Sequence, residues 1–124
     1  MLRERVPGLE AVDWFVIGGS GIGRPLVEQG EHGLGLTIQH TIPLAELGLP
    51  SASVPGHGSA IVIGELAREG GGKPIRVAVQ TGRIHPYEGH TAALVCAPLG
   101  AMLHAGARRV LLTAAVGGVN PSLR

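Results

Sequence analysis

The side chains best suited to chemistry gather in two short stretches. One is Val16-Ile-Gly-Gly-Ser-Gly-Ile-Gly-Arg-Pro25, where glycines surround Ser20 at the end of an apolar run. A glycine-rich loop after a strand lets backbone N–H groups come close to a ligand, and clustered N–H groups attract anions, phosphate above all. The other is Thr81-Gly-Arg-Ile-His-Pro-Tyr-Glu-Gly89. If the chain stays extended past Gly82, alternation puts Arg83 and His85 on one face and Ile84 on the other. A guanidinium there can clamp a phosphate or carboxylate, and the imidazole two residues on adds a hydrogen bond and can hold a proton. The structural alternative is an Arg83–Glu88 ion pair beside a His85 that only packs.

Spacing narrows the anion site. Gly19, Gly21 and Gly23 fall two apart and are followed by Arg24-Pro25, a poor match to the Gly-x-Gly-x-x-Gly turn that binds dinucleotides. No Gly-Lys-Ser/Thr closes the loop, which excludes a P-loop. A plain strand-to-helix turn remains the alternative. His57, in Val54-Pro-Gly-His-Gly58, sits in a loop and is either solvent-exposed or part of the same site. His57, His85, His90 and His104 show no paired ligand spacing, so no metal is expected, and His32 and His40 read as surface or loop residues.

Composition bounds the rest. The 124 residues make one domain at most, and 44% hydrophobic residues can fill a core. Only 2% are aromatic, so that core is Val, Leu, Ile and Ala, as in a buried parallel or mixed sheet: an α/β class. A net charge of +1 without basic runs argues against nucleic acid. The single Cys96, flanked by apolar residues, reads as a small buried hydrophobe in a reducing compartment. The charged start MLRERVPGLE has no signal core, and the apolar stretch from Ala92 to Ala107 is too short and broken to span a bilayer. A cytoplasmic location away from membranes is the expectation.

These groups need elements to hold them. Trp14–Ile17 reads as a buried strand feeding the glycine loop, and Leu34–Gln39 as a second, half-exposed strand. His40–Pro50, with Pro43, Gly48 and Pro50, reads as a loop with at most one helical turn. Ala60–Ala67 and Pro74–Gln80 flank Arg68-Glu-Gly-Gly-Gly-Lys73, the pattern of an antiparallel hairpin with a solvated turn. Thr91–Ala107 reads as a helix buried on several sides, kinked at Pro98 and ended by Gly106, with His104 near the free carbonyls of its last turn. Arg108–Ala115 is a further apolar strand running into Gly117-Gly118. Three strand ends then carry the Gly-Ser loop, Arg83 with His85, and the run from Thr113 to Gly118, and ligands collect at such ends in α/β sheets. The chain stops soon after its last strand, with no helix to cover it, so the sequence reads as cut short.

Taken in order, Gly19-Ser-Gly-Ile-Gly23, Val54-Pro-Gly-His-Gly58, Gln80-Thr-Gly-Arg-Ile-His-Pro-Tyr-Glu-Gly89 and Thr113-Ala-Ala-Val-Gly-Gly-Val-Asn-Pro121 resemble the trimeric family of purine nucleoside phosphorylases. They cover nearly the whole chain in the family's order. The methylthioadenosine phosphorylases are less similar, usually carrying Thr where Ser20 stands and lacking Tyr87-Glu88-Gly89.

The resemblance implies the N-terminal part of a phosphorylase-type mixed β-sheet flanked by helices, incomplete at its C-terminus, with residues 1–124 forming half of a single domain. It implies phosphorolysis of purine (deoxy)ribonucleosides to free base and (deoxy)ribose 1-phosphate in purine salvage, with inorganic phosphate as substrate and no cofactor. Ser20, Arg83, His85 and the Ala115 backbone would bind phosphate, His57 would sit beside that anion, and Tyr87 would contact the sugar; His57 and His85 are the catalytic candidates. The partners implied are phosphate, a purine nucleoside, and either two further copies in a trimer or a complementing C-terminal fragment. Family members usually carry Asn where Ala114 stands and a bulkier or more flexible residue than Pro86. They are more than twice as long, and the base-recognising residues lie in the remainder, so this chain alone is expected to be inactive. The alternative is a non-catalytic phosphate-binding or oligomerisation module.

Overall fold

A computed structural model describes residues 12–19, 21–50 and 59–123. Five strands form one sheet in the order β2-β3-β4-β1-β5, where β1 is Trp14–Ile17, β2 Thr37–Pro43, β3 Ala60–Leu66, β4 Ile75–Gln80 and β5 Arg109–Leu112. The predicted hairpin forms, with β3 and β4 antiparallel from Ile61 opposite Gln80 to Leu66 opposite Ile75. Its reversal uses positive φ at Gly70, Gly71 and Gly72, a conformation closed to most other residues. β1 lies parallel to both β4 and β5, so the sheet is mixed and the class is α/β, as the composition implies.

β2 departs from expectation. It begins at Thr37 and runs through His40 to Pro43, across residues read as a loop, so His40 belongs to a strand; a single 3-10 turn, Leu44–Leu47, follows. The register with β3 shifts between Ile38 and His40, and such a bulge resets the two-residue alternation that announces a strand. Ile38 is exposed and Ile42 buried for that reason. Pro43 is tolerated because it is the last residue of an edge strand.

The sheet has two apolar faces. On one, Phe15 and Ile17 of β1, Ile61 and Ile63 of β3 and Ala78 of β4 meet Met102 and Ala105 of a helix spanning Ala92–Ala105. Fully burying a side chain such as Phe15 or Ile63 is worth about 1.5–3 kcal/mol. On the other face Val16, Val77 and Val79 pack with Leu36, beside Leu26 and Val27 of a short helix, α1, at Gly23–Val27. The long helix is α2. Thr91 caps its start by accepting the Leu94 N–H at 3.3 Å, and Gly106 ends it at φ 116°.

α2 is buried along one side only, at Pro98, Met102 and Ala105, rather than on several sides. Its outer side is made of Ala92, Ala93, Cys96, Gly100, Leu103 and His104. These are mostly small apolar residues, so the sequence lacks the polar stripe that would have marked an exposed face. Cys96 is accordingly an exposed thiol, not the buried hydrophobe its neighbours suggested. The helix continues through Pro98, which leaves the Leu94 carbonyl without its usual helical donor. No helix among the described residues is long and apolar enough to cross a membrane.

Candidate functional site

The site follows from strand register. Ile17, the last residue of β1, stands opposite Gln80, the last of β4, and opposite Leu112, the last of β5. Three adjacent parallel strands thus end on one line, and the loops after them leave side by side, as the sequence implied for its glycine, Arg-His and Thr113 segments.

Thr113 ties these loops together. Its N–H and its hydroxyl donate to the Ile17 carbonyl at 3.1 and 3.0 Å, and its hydroxyl oxygen accepts the Gly19 N–H at 2.8 Å. Its own carbonyl accepts a hydrogen bond from Arg83 Nη2. From the other side, the Gly18 N–H donates to the Gln80 carbonyl at 2.9 Å, and Gln80, 3% exposed, donates through Nε2 to the Gly82 carbonyl at 2.8 Å. In the sequence Thr113 stands out only as the start of a run of small residues. Its signal was position: a hydroxyl residue immediately after an apolar strand, where side-chain and backbone hydrogen bonding compete.

Close approach explains the glycines. A Cβ on Gly23 would lie 2.5 Å from the Thr81 carbonyl oxygen, which lets α1 begin directly against the end of β4. A Cβ on Gly19 would lie 2.8 Å from Arg83 Nη2 and 3.2 Å from the Thr113 carbonyl oxygen, so this glycine makes room for the guanidinium. The glycine loop is less of an open anion nest than its composition suggests. The amides of Gly18 and Gly19 are used as above, and those of Ile22 and Gly23 both donate to the Gly19 carbonyl, at 3.1 and 3.2 Å. Arg83 has a donor to spare: its Nε is buried and has no hydrogen-bond partner among the described residues. A buried unpaired donor costs about 1–3 kcal/mol, and a charged group more, unless something accepts from it.

Arg83 opens on a cleft of about 270 Å³ between β1, β4, β5 and α2, lined also by Ile17, Gln80, Ile84, Cys96, Leu99 and Leu112. Ile84 is 4% exposed and turned into the core while Arg83 and His85 stay half-buried, the alternation expected of an extended segment. His85 is extended at φ −99° and ψ 135°, and its ring stacks on Tyr87 with centroids 4.7 Å apart and planes 17° from parallel. Pro86 starts the 3-10 turn Pro86–Glu88 that allows this stacking, a position its fixed φ suits. The Arg83–Glu88 pair weighed from the sequence is not among the ion pairs of the described residues; Glu88 lies 3.7 Å from His90 instead. Ala114 and Ala115 are exposed in the irregular segment after β5. Ser20 and His57 lie outside the described residues. Among the described residues, no group of three or more His, Cys, Asp or Glu side chains is arranged to hold a metal ion.

No family model matches the chain. A purine nucleoside phosphorylase of Geobacillus stearothermophilus is 33% identical over 122 residues, 98% of this chain and 39% of that protein. Among solved structures, the purine nucleoside phosphorylase of Schistosoma mansoni in complex with acetate superposes with a TM-score of 0.71 at 28% identity, over 99% of this chain and 40% of that one. The same enzyme in complex with inosine gives 0.67 at 25% identity, over 99% and 38%. The chain therefore spans about two fifths of the length of these proteins. In sequence and in fold it is a relative of the purine nucleoside phosphorylases.

Proposed function

We propose that this chain forms the phosphate-holding part of a purine nucleoside phosphorylase site, acting on purine (deoxy)ribonucleosides, and that it does not turn over alone. The observation that carries the reading is the Arg83 Nε, buried and without a hydrogen-bond partner among the described residues, where three parallel strands end. A phosphate oxygen would satisfy that donor and be held by charge as well as by hydrogen bonding. In this reading Ser20, Arg83, His85 and the Ala115 backbone hold the anion, His57 lies beside it, and Tyr87, stacked on His85, reaches the sugar.

Phosphorolysis needs such an arrangement. A phosphate oxygen forms a bond to the anomeric carbon as the C–N bond to the base breaks, and the base leaves with the bonding pair. Positive charge builds on the sugar in between, so a dianion fixed beneath it stabilises the transition state at no further cost of reorganisation. The likeness to the phosphorylases supports phosphate as a substrate, no cofactor, and a trimer working in the cytoplasm. The second reading is a non-catalytic phosphate-binding or oligomerisation module.

The test is thermal unfolding of the chain across a phosphate titration at fixed ionic strength, with Arg83→Ala beside it. Phosphate at about 100 times its Kd stabilises the folded state by about 2.7 kcal/mol if it binds only that state. We expect a rise in Tm that the variant abolishes. A Tm indifferent to phosphate overturns phosphate binding in either reading, and phosphorolysis by the chain together with the remainder of a phosphorylase separates the first from the second.

A further inference from the structure

Gln80 is a polar side chain in an apolar place. It ends β4, is 3% exposed, and lines the Arg83 cleft beside Ile17, Ile84, Val95, Leu99 and Leu112. An aliphatic residue would fill that position without the cost of taking an amide out of water. What the amide does there is local. Its Nε2 donates to the Gly82 carbonyl at 2.8 Å, two residues ahead. That carbonyl shares a planar peptide with the Arg83 N–H, so holding the one fixes the other and sets the direction in which Arg83 leaves the turn.

The neighbouring contacts leave that turn little freedom. The Thr81 N–H donates to the Ala60 carbonyl at 2.9 Å, and the Thr81 hydroxyl oxygen accepts the Ala60 N–H at 3.0 Å, so the residue between Gln80 and Gly82 is fastened to the start of β3. A Cβ on Gly82 would lie 2.3 Å from Oγ of the buried Ser59, so the turn also packs closely there. At its far end the Arg83 side chain is tied through Nη2 to the Thr113 carbonyl. Arg83 is thus held at both ends, and the Nε between them, buried and without a hydrogen-bond partner among the described residues, is left to meet a ligand. A donor fixed before its ligand arrives binds without the entropic cost of being ordered. We infer that Gln80 is a positioning residue, whose amide holds the backbone end of Arg83 so that the guanidinium stands ready in the cleft before an anion enters. That the anion is phosphate rests on the phosphorylase reading above; the hold on Arg83 does not.

The test is heteronuclear NMR of the arginine Nε–H groups, without and with inorganic phosphate, in the parent chain and in Gln80→Met and Gln80→Leu. Met is close to Gln in length, Leu suits the aliphatic surroundings, and neither can donate to the Gly82 carbonyl. The Arg83 signal is assigned by its loss in Arg83→Lys. Arg76, whose Nε is also buried, is the reference for general loosening of the fold. We expect hydrogen exchange at the Arg83 Nε–H to quicken about tenfold in both variants while Arg76 keeps the parent rate, and phosphate to bind the variants about tenfold more weakly, the equivalent of one hydrogen bond to a charged group. An Arg83 signal unchanged in the variants, exchange that quickens equally at Arg83 and Arg76, or phosphate bound equally well after Arg83 has loosened overturns the inference. An Arg83 signal that the variants loosen, in a parent chain indifferent to phosphate, upholds the hold by Gln80 and refutes the phosphate reading, so the two failures are told apart.

Discussion

Replacing Thr113 by Val tests whether one hydroxyl holds the three strand ends together. Val keeps the shape and the β-branch but removes the acceptor of the Gly19 N–H, 2.8 Å away, and the donor to the Ile17 carbonyl, 3.0 Å away. The Ile17 carbonyl keeps the Thr113 N–H at 3.1 Å, so it is not orphaned. The part-buried Gly19 N–H is left without its acceptor, which costs about 1–3 kcal/mol. For a domain of this size each kcal/mol moves Tm by about 4 °C, so a fall of about 4–12 °C is expected. Urea and thermal unfolding followed by circular dichroism measure it, and Thr113→Ser, which restores the hydroxyl, should recover most of the loss. A Thr113→Val chain as stable as the parent, or a Ser variant no better than Val, would show that the hydroxyl does not tie the loops together.

The remaining predictions follow from the same geometry. Gly19→Ala places a methyl 2.8 Å from Arg83 Nη2 and 3.2 Å from the Thr113 carbonyl oxygen, so it should displace the guanidinium, weaken phosphate binding about tenfold in Kd and also lower Tm; titration calorimetry and melting measure the two effects. Met102→Ala empties a fully buried position between α2 and the Phe15 face and should cost about 2–5 kcal/mol in chemical denaturation. Gly106→Ala forces a side chain into φ 116° at the end of α2 and should cost about 1–2 kcal/mol, with the loss concentrated in α2 by hydrogen exchange.

Much of this arrangement is legible in the sequence wherever one local rule dominates. Trp14–Ile17 is an unbroken apolar run closed by glycines, and the hairpin is announced by three glycines between two β-branched runs. Thr91 and Gly106 frame α2 by cap chemistry. What was hidden depends on other parts of the chain. The bulge in β2 interrupts the alternation that would have extended it to Pro43. The outer side of α2 carries Ala, Gly, Cys and Leu, so nothing in its composition says which side is outside. Convergence of the loops after β1, β4 and β5 was foreseeable from the rule for α/β sheets, but the role of Thr113 was not, because it arises from a register that sets Ile17 opposite Leu112. Likewise the glycine loop signals an anion site through its amides, while the structure spends several of them internally and leaves the buried Arg83 Nε without an acceptor among the described residues.

The central claim is that Arg83 holds a phosphate where β1, β4 and β5 end. Isothermal titration of inorganic phosphate into the chain at matched ionic strength, with Arg83→Ala in parallel, tests it most directly. Saturable binding at one site per chain that disappears in the variant is the expected result. Binding unchanged by the variant, or no saturable binding by the parent chain, would contradict it.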